Sequence, residues 1–243
     1  MVKVRIYAEG GGEKGQSKKG LDIMMRAAFK TFIMKALQQT YPYQEPLERS
    51  FIIEACGSRI QAYDSFCHAL AQRISGDTEK KGEVLLLVDS ESEVAGNIGP
   101  WTHLKKREGD GWERPNGAMD EHVHLMVQFM ETWFLADPKN VASYFGKNFN
   151  KRALPVSEKI EKVPKDKVLQ YLNNAARKTS KKIYDKGDSS FGILEKIDPC
   201  LVQIKSPWCC RFLKVLDDIL VHGKMNSSIR QCDPPAIIQG GPS

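Results

Sequence analysis

Glu9 directly follows a short β-branched run, and Asp89 with Glu91 directly follows the most apolar run in this 243-residue chain. Hard divalent cations such as Mg²⁺ take oxygen ligands. A one- or two-metal phosphodiester reaction therefore needs several carboxylates in one place, to engage the ion together with phosphate oxygens and water. Alternate side chains of an extended segment share a side, so Asp89 and Glu91 make an acid-x-acid pair able to share or flank one ion. Glu13, Glu93 and Glu131 are further acids of the right type. Taken singly, each of these acids is more often an ordinary solvated loop residue.

Other groups have two readings. Lys105-Lys106-Arg107, and Arg177-Lys178 with Lys181, Lys182 and Lys186, can neutralise phosphates or steady developing negative charge; as solvated faces of loops and helices they would do neither. Trp101 and Trp112 flank the first cluster and can stack on bases or pin the loop to the core. His122 and His124 are expected to share one strand face, more often as hydrogen-bonded residues than as ligands. Glu131 also suits the start of a helix, where the dipole favours its charge. Gly10-Gly11-Gly12 would let backbone approach a phosphate, but no Gly-Lys-Ser/Thr follows, so this is no Walker loop and ATP hydrolysis by that route is excluded. The six cysteines include no C-x-x-C pair, which argues for reduced, mostly buried thiols rather than a zinc ribbon or disulfide framework.

These residues must be positioned by the elements between them. Val2–Ala8 reads as a buried strand, and Leu21, Met25, Ala28, Phe29, Phe32, Ala36 and Leu37 recur at helical spacing after it. A second unit repeats the plan, with Phe51–Ala55 as strand and Ile60, Tyr63, Phe66, Cys67, Leu70 and Ile74 on one helical face. Glu83–Val88 is the clearest strand, its unbroken apolar character implying burial on both faces. Such alternation predicts parallel strands with right-handed crossovers, and ligands gather beyond the carboxyl ends of such strands. Ser90 to Asp120 reads as a long irregular loop. Val123, Leu125, Val127 and Phe129 alternate as a strand would, leading into a short helix over 130–137; further helices are expected over 165–178, 189–197 and 207–220.

The expected architecture is an α/β core over 1–150, a helical appendage packing on it over 151–224 and a loose tail over 225–243. Lysine and arginine exceed aspartate and glutamate by 36 − 30 = 6, which suits a polyanionic partner. No apolar run reaches the roughly 20 residues of a spanning helix, and Met1 leads straight into a strand rather than a secretory signal, so a cytoplasmic protein without membrane contact is expected.

As an ordered set, Glu9-Gly10-Gly11-Gly12, the acid pair Asp89 and Glu91, His124–Trp133 with its Met130-Glu131-Thr132-Trp133, Tyr184–Phe191 and Ile197-Asp198-Pro199 resemble a bacterial family of unknown function with Toprim-like folds. The resemblance runs to about Leu220. It implies the catalytic fold used by topoisomerases, primases and the nucleases partnered with ABC-type ATPases in phage defence. Glu9 matches the first-strand glutamate, and Asp89 with Glu91 the aspartate pair, although Glu91 stands where such proteins usually have a second aspartate. The expectation is a Toprim-like sheet of parallel strands flanked by helices. Its function would be a Mg²⁺- or Mn²⁺-dependent nuclease or related phosphoryl-transfer enzyme acting on DNA or RNA, an antiviral effector working with a separate ABC-type or AAA ATPase and able to form a homo-oligomer. Glu9, Asp89 and Glu91 would hold metal, Glu131 would be a fourth acid and Lys186 a transition-state contact. Lys105, Lys106, Arg107, Arg177, Lys178, Lys181 and Lys182 would meet nucleic acid. The alternative is a non-catalytic subunit that keeps the fold and regulates through an ATPase complex.

Overall fold

Val4, Ile6 and Ala8 alternate with the polar-tipped Arg5 and Tyr7, and in the computed structural model they form β1 (Val4–Ala8), with the first three fully buried. The structure describes residues 3–12, 20–40, 49–76, 82–96, 98–223 and 225. α1 (Leu21–Thr40) follows, then β2 (Phe51–Ala55), α2 (Arg59–Ser75) and β3 (Glu83–Asp89). β4 (Val123–Met126) completes a four-stranded sheet of order β2-β1-β3-β4. Among the described residues every pairing between these strands is parallel, in the register Val4 with Phe51 and with Glu83, and Leu86 with Val123. Parallel neighbours need long crossovers, and α1 and α2 supply the first two. The chain is thus an α/β protein whose parallel sheet is flanked by helices, as the sequence predicts.

One face of the sheet, with Val4, Ile6, Leu85 and Leu87, packs on Phe29 and Phe32 of α1 and on residues from the later helices; the other, with Val84, Leu86 and Val88, packs on Phe66 and Leu70 of α2 and on Trp101. β3 is therefore covered on both sides, which is why its sequence lacks polar alternation. The later elements are α4 (Pro138–Phe145), α5 (Lys165–Ala176), α6 (Asp188–Leu194), α7 (Pro199–Lys205) and α8 (Pro207–His222). Their Val168, Leu172, Ile193, Phe212 and Leu216 share one continuous core with Ile6 and Phe29. The loose tail expected over 225–243 lies outside the described residues except for Met225, which packs against that core.

Three expectations need correction. The stretch 90–120 is not irregular throughout: α3 (Pro100–Lys106) begins with proline at its first position and buries Trp101, His103 and Leu104. β4 is buried at every residue rather than at alternate ones, because α8 lies against it. His122 and His124 do not share a face, since His122 belongs to a 3₁₀ turn over Asp120–His122 and sits beside Phe66, whereas His124 sits beside Phe212. Burial lowers the proton affinity of both, that of His122 to about 4, so they serve as neutral packing groups. Cys56, Cys67, Cys200, Cys209 and Cys210 are thiols rather than disulfides. Among the described residues no helix is long and apolar enough to cross a membrane.

Candidate metal centre

The register that aligns Ala8 with Leu87 fixes where the chain leaves the sheet. Glu9 is the first residue beyond β1, its N–H donating to Leu87 O at 3.0 Å, and Asp89 is the last of β3. Two strands that are neighbours and parallel must release these acids at the same edge. The Glu91 N–H donates to Gln128 O at 2.7 Å, with the Glu91 backbone held at φ 65°, which turns this residue back toward the others. Glu9, Asp89 and Glu91 each offer a carboxylate oxygen within 4.8 Å of the other two. Ligands on opposite sides of a Mg²⁺ lie about 4.2 Å apart at roughly 2.1 Å per bond, so the cluster needs only a small closure, by the half-buried Glu9 or Glu91, to hold one ion. The residues fit a hard divalent cation.

The electrostatics agree. Asp89 is 8% exposed, and its proton affinity is raised well above the ordinary carboxylate value by burial first, then by Glu9 and Glu131, with Lys165 and Lys186 opposing. Glu9 is raised too, by burial, against the lowering influence of Arg59 and the Asp89 N–H. This is carboxylate density that a nearby cation relieves. Asp89 Oδ1 accepts the Met130 N–H at 3.0 Å, and Glu9 Oε2 accepts the N–H groups of Asp89 and Arg59, each at 3.2 Å.

The ring of residues around the acids goes beyond what the sequence pattern suggests. α2 opens with a capping box of Ser58 and Gln61, and its first residue, Arg59, reaches across the edge. The Arg59 guanidinium pairs with Glu9 and with Asp110 (2.6 Å), donates to Asp89 O and lies 4.8 Å over the Trp112 ring. Lys165, the first residue of α5, places Nζ 2.6 Å from Glu91 Oε2. Neither cation was legible as a site residue, because each comes from a helix start whose sequence resembles any other. Gly10 and Gly11 serve the turn itself: Gly10 pairs with Gly57 in an isolated bridge, and a Cβ at Gly11 (φ 86°) would sit 3.0 Å from that of Ala55.

Glu131 is brought beside Asp89 but is not one of the three clustered acids. Its Oε1 accepts the Tyr184 hydroxyl at 2.7 Å and the Ser190 hydroxyl at 3.1 Å, and the Gly187 N–H donates to Ser190 Oγ at 3.1 Å. This buried network ties the Tyr184–Phe191 motif to the site and carries exposed Lys186 to within electrostatic reach of Asp89. Glu93 pairs instead with Lys162 at 3.5 Å, and Glu13 lies outside the described residues.

Of the basic residues, Arg177, Lys178, Lys181 and Lys182 are all exposed on the segment leading to Tyr184, with Lys181 4.4 Å over the Tyr144 ring. Lys106 is exposed, Lys105 pairs with Glu113 at 2.8 Å, and Arg107 pairs at 2.7 Å with the same Asp110 that holds Arg59. Trp101 and Trp112 are each 5% exposed, and Trp112 stacks on Tyr63 at 4.4 Å, so they pin the loop to the core.

A family model described as a domain of unknown function (DUF4276) matches residues 8–217. No curated protein and no solved structure matches the chain.

Proposed function

The chain belongs to the DUF4276 family, and from that premise we propose that it is a Mg²⁺- or Mn²⁺-dependent nuclease, or a related phosphoryl-transfer enzyme acting on nucleic acid. The observation that carries this reading is the meeting of Glu9, Asp89 and Glu91 at one sheet edge, their carboxylate oxygens within 4.8 Å of one another. Those three residues would hold the ion, which supplies Lewis-acid stabilisation of phosphate charge and a more acidic water when bound. The chain's own residues do the rest. Arg59 orients Glu9 and the Asp89 backbone, while Glu131, fixed by Tyr184 and Ser190, keeps a fourth negative group beside Asp89. Lys186, whose charge is felt at Asp89, would meet charge developing on a phosphoryl group. The exposed Arg177, Lys178, Lys181 and Lys182 would hold the polyanion without reading its sequence.

The resemblance of the ordered motifs to Toprim-like proteins supports a place in cytoplasmic anti-phage defence beside an ABC-type or AAA ATPase. The second reading, a non-catalytic subunit of such a complex, is favoured by the engagement of Glu9 and Glu91 by Arg59 and Lys165. Purified protein, alone and with an added ABC-type ATPase, is to be incubated with single- and double-stranded DNA and RNA in Mg²⁺, Mn²⁺ or EDTA. Cleavage that needs the ion and disappears in Asp89→Asn is the expected result. Mn²⁺ binding without cleavage under all of these conditions supports the non-catalytic subunit.

A further inference from the structure

Lys165 is an unusual choice for the place it occupies. It is the first residue of α5, where the helix dipole disfavours a cation and a carboxylate would be the stabilising residue. The protein nevertheless builds a support for it. The Gln128 side chain, 7% exposed, donates through Nε2 to Val163 O at 2.7 Å and Glu161 O at 3.2 Å. It accepts the Lys165 N–H through Oε1 at 3.1 Å. The same residue's carbonyl receives the Glu91 N–H at 2.7 Å, so Gln128 sets both backbones from which the Lys165–Glu91 pair is made. The Lys165 ammonium also lies 5.1 Å from the centroid of the Phe129 ring, next along the chain. At 28% and 25% exposure, the paired side chains remain reachable from solvent.

Resting on the metal-centre reading above, we infer that Lys165 and a divalent cation are alternative partners of Glu91, and that Lys165, once released, is a contact for a non-bridging oxygen of the substrate's phosphodiester. Without the ion, the ammonium occupies Glu91 Oε2 and keeps the acid cluster from carrying its full charge. When Glu91 turns to the ion, Gln128 still fixes the Lys165 backbone, and the Phe129 face, already 5.1 Å from the ammonium, keeps it beside the cluster. A cation so placed meets a phosphate held at the same edge. Gln128 is then a positioning residue for both halves of the exchange.

The test measures Mn²⁺ affinity from the resonance of the free ion for the parent, Lys165→Met, Lys165→Arg and Asp89→Asn. It also measures inorganic phosphate affinity at saturating Mn²⁺. Removing a competing, partly exposed ion pair should tighten Mn²⁺ binding by about threefold in Lys165→Met, while phosphate binding weakens; Lys165→Arg, which keeps the charge, should stay near the parent in both. Mn²⁺ binding that is lost in Asp89→Asn but unchanged or weakened in Lys165→Met overturns this inference and leaves the metal centre standing. A parent that binds no Mn²⁺, or an Asp89→Asn chain that binds it equally, overturns the metal centre and this inference with it.

Discussion

Asp89→Asn should produce opposite effects on the metal-free and metal-loaded protein. Burial, with Glu9 and Glu131 close by, raises the proton affinity of Asp89 in the folded state. The folded protein then holds this proton more tightly than the unfolded chain, so stability falls as pH rises above the unfolded value. At neutral pH the group is a cost to folding, of about 1.4 kcal/mol for every tenfold rise in proton affinity. Asparagine removes the charge and keeps an Oδ1 for the Met130 N–H that Asp89 now accepts at 3.0 Å. The metal-free variant should therefore melt at or above the parent, by about 2–4 °C per kcal/mol relieved in a chain of this size. Added metal reverses the order. An ion at 100 times its dissociation constant stabilises by about 2.7 kcal/mol, or roughly 5–10 °C, and the variant should forfeit most of it. The assay is thermal unfolding at neutral pH in EDTA and across a Mn²⁺ titration, with cleavage measured in parallel. The reasoning is refuted if the variant gains as many degrees from Mn²⁺ as the parent, or if it melts several degrees lower in EDTA, which would make Asp89 a structural strut.

Other substitutions probe the surroundings. Arg59→Met leaves Glu9 without its guanidinium and Asp110, with its side chain 4% exposed, with Arg107 as its remaining partner, and should cost about 1–3 kcal/mol in urea unfolding; adding Asp110→Asn should return part of that loss, and no recovery would mean that Arg59 acts mainly through packing. Glu161 is pushed by burial up to about 7, against the lowering bonds from Ser206 and the Trp208 N–H. Because its folded value exceeds the unfolded 4.5, its cost develops as pH rises from 4.5 and is complete above about 7. Glu161→Gln should thus gain up to about 3 kcal/mol over the parent by pH 8 and little near pH 5, whereas a difference that does not vary with pH would contradict this. Changing Arg177, Lys178, Lys181 and Lys182 together to Ala should flatten the salt dependence of nucleic-acid binding by about 0.9 in log–log slope for each phosphate no longer neutralised; an unchanged slope removes this segment from the interface.

The sequence by itself determines the part of this protein that follows from local pattern and parallel topology. β-branched runs ending in Glu9 and Asp89, separated by helical repeats, predict parallel strands, and parallel strands release their carboxyl ends at one edge whatever the details of packing. The meeting of Glu9 and Asp89 is therefore legible from pattern, whereas Glu91 joins them through a left-handed turn at φ 65° and its bond to Gln128 O rather than through the extended alternation that the sequence suggests. α3 was not, because the Gly and Pro residues around it read as punctuation, while its apolar Trp101 and Leu104 are too few to show a period. Nor was the burial of β4 on every side, since that depends on α8, which arrives some 80 residues later and covers a face that alternation alone leaves open. Tertiary structure also decided which basic groups stand among the acids. Arg59 and Lys165 lie far apart in sequence and share no motif, whereas the conspicuous run Lys105-Lys106-Arg107 is largely occupied by Glu113 and Asp110. Charge acts through space, over a few ångströms, and the distance between two side chains on different elements is set by strand register and helix packing, which no window of residues contains.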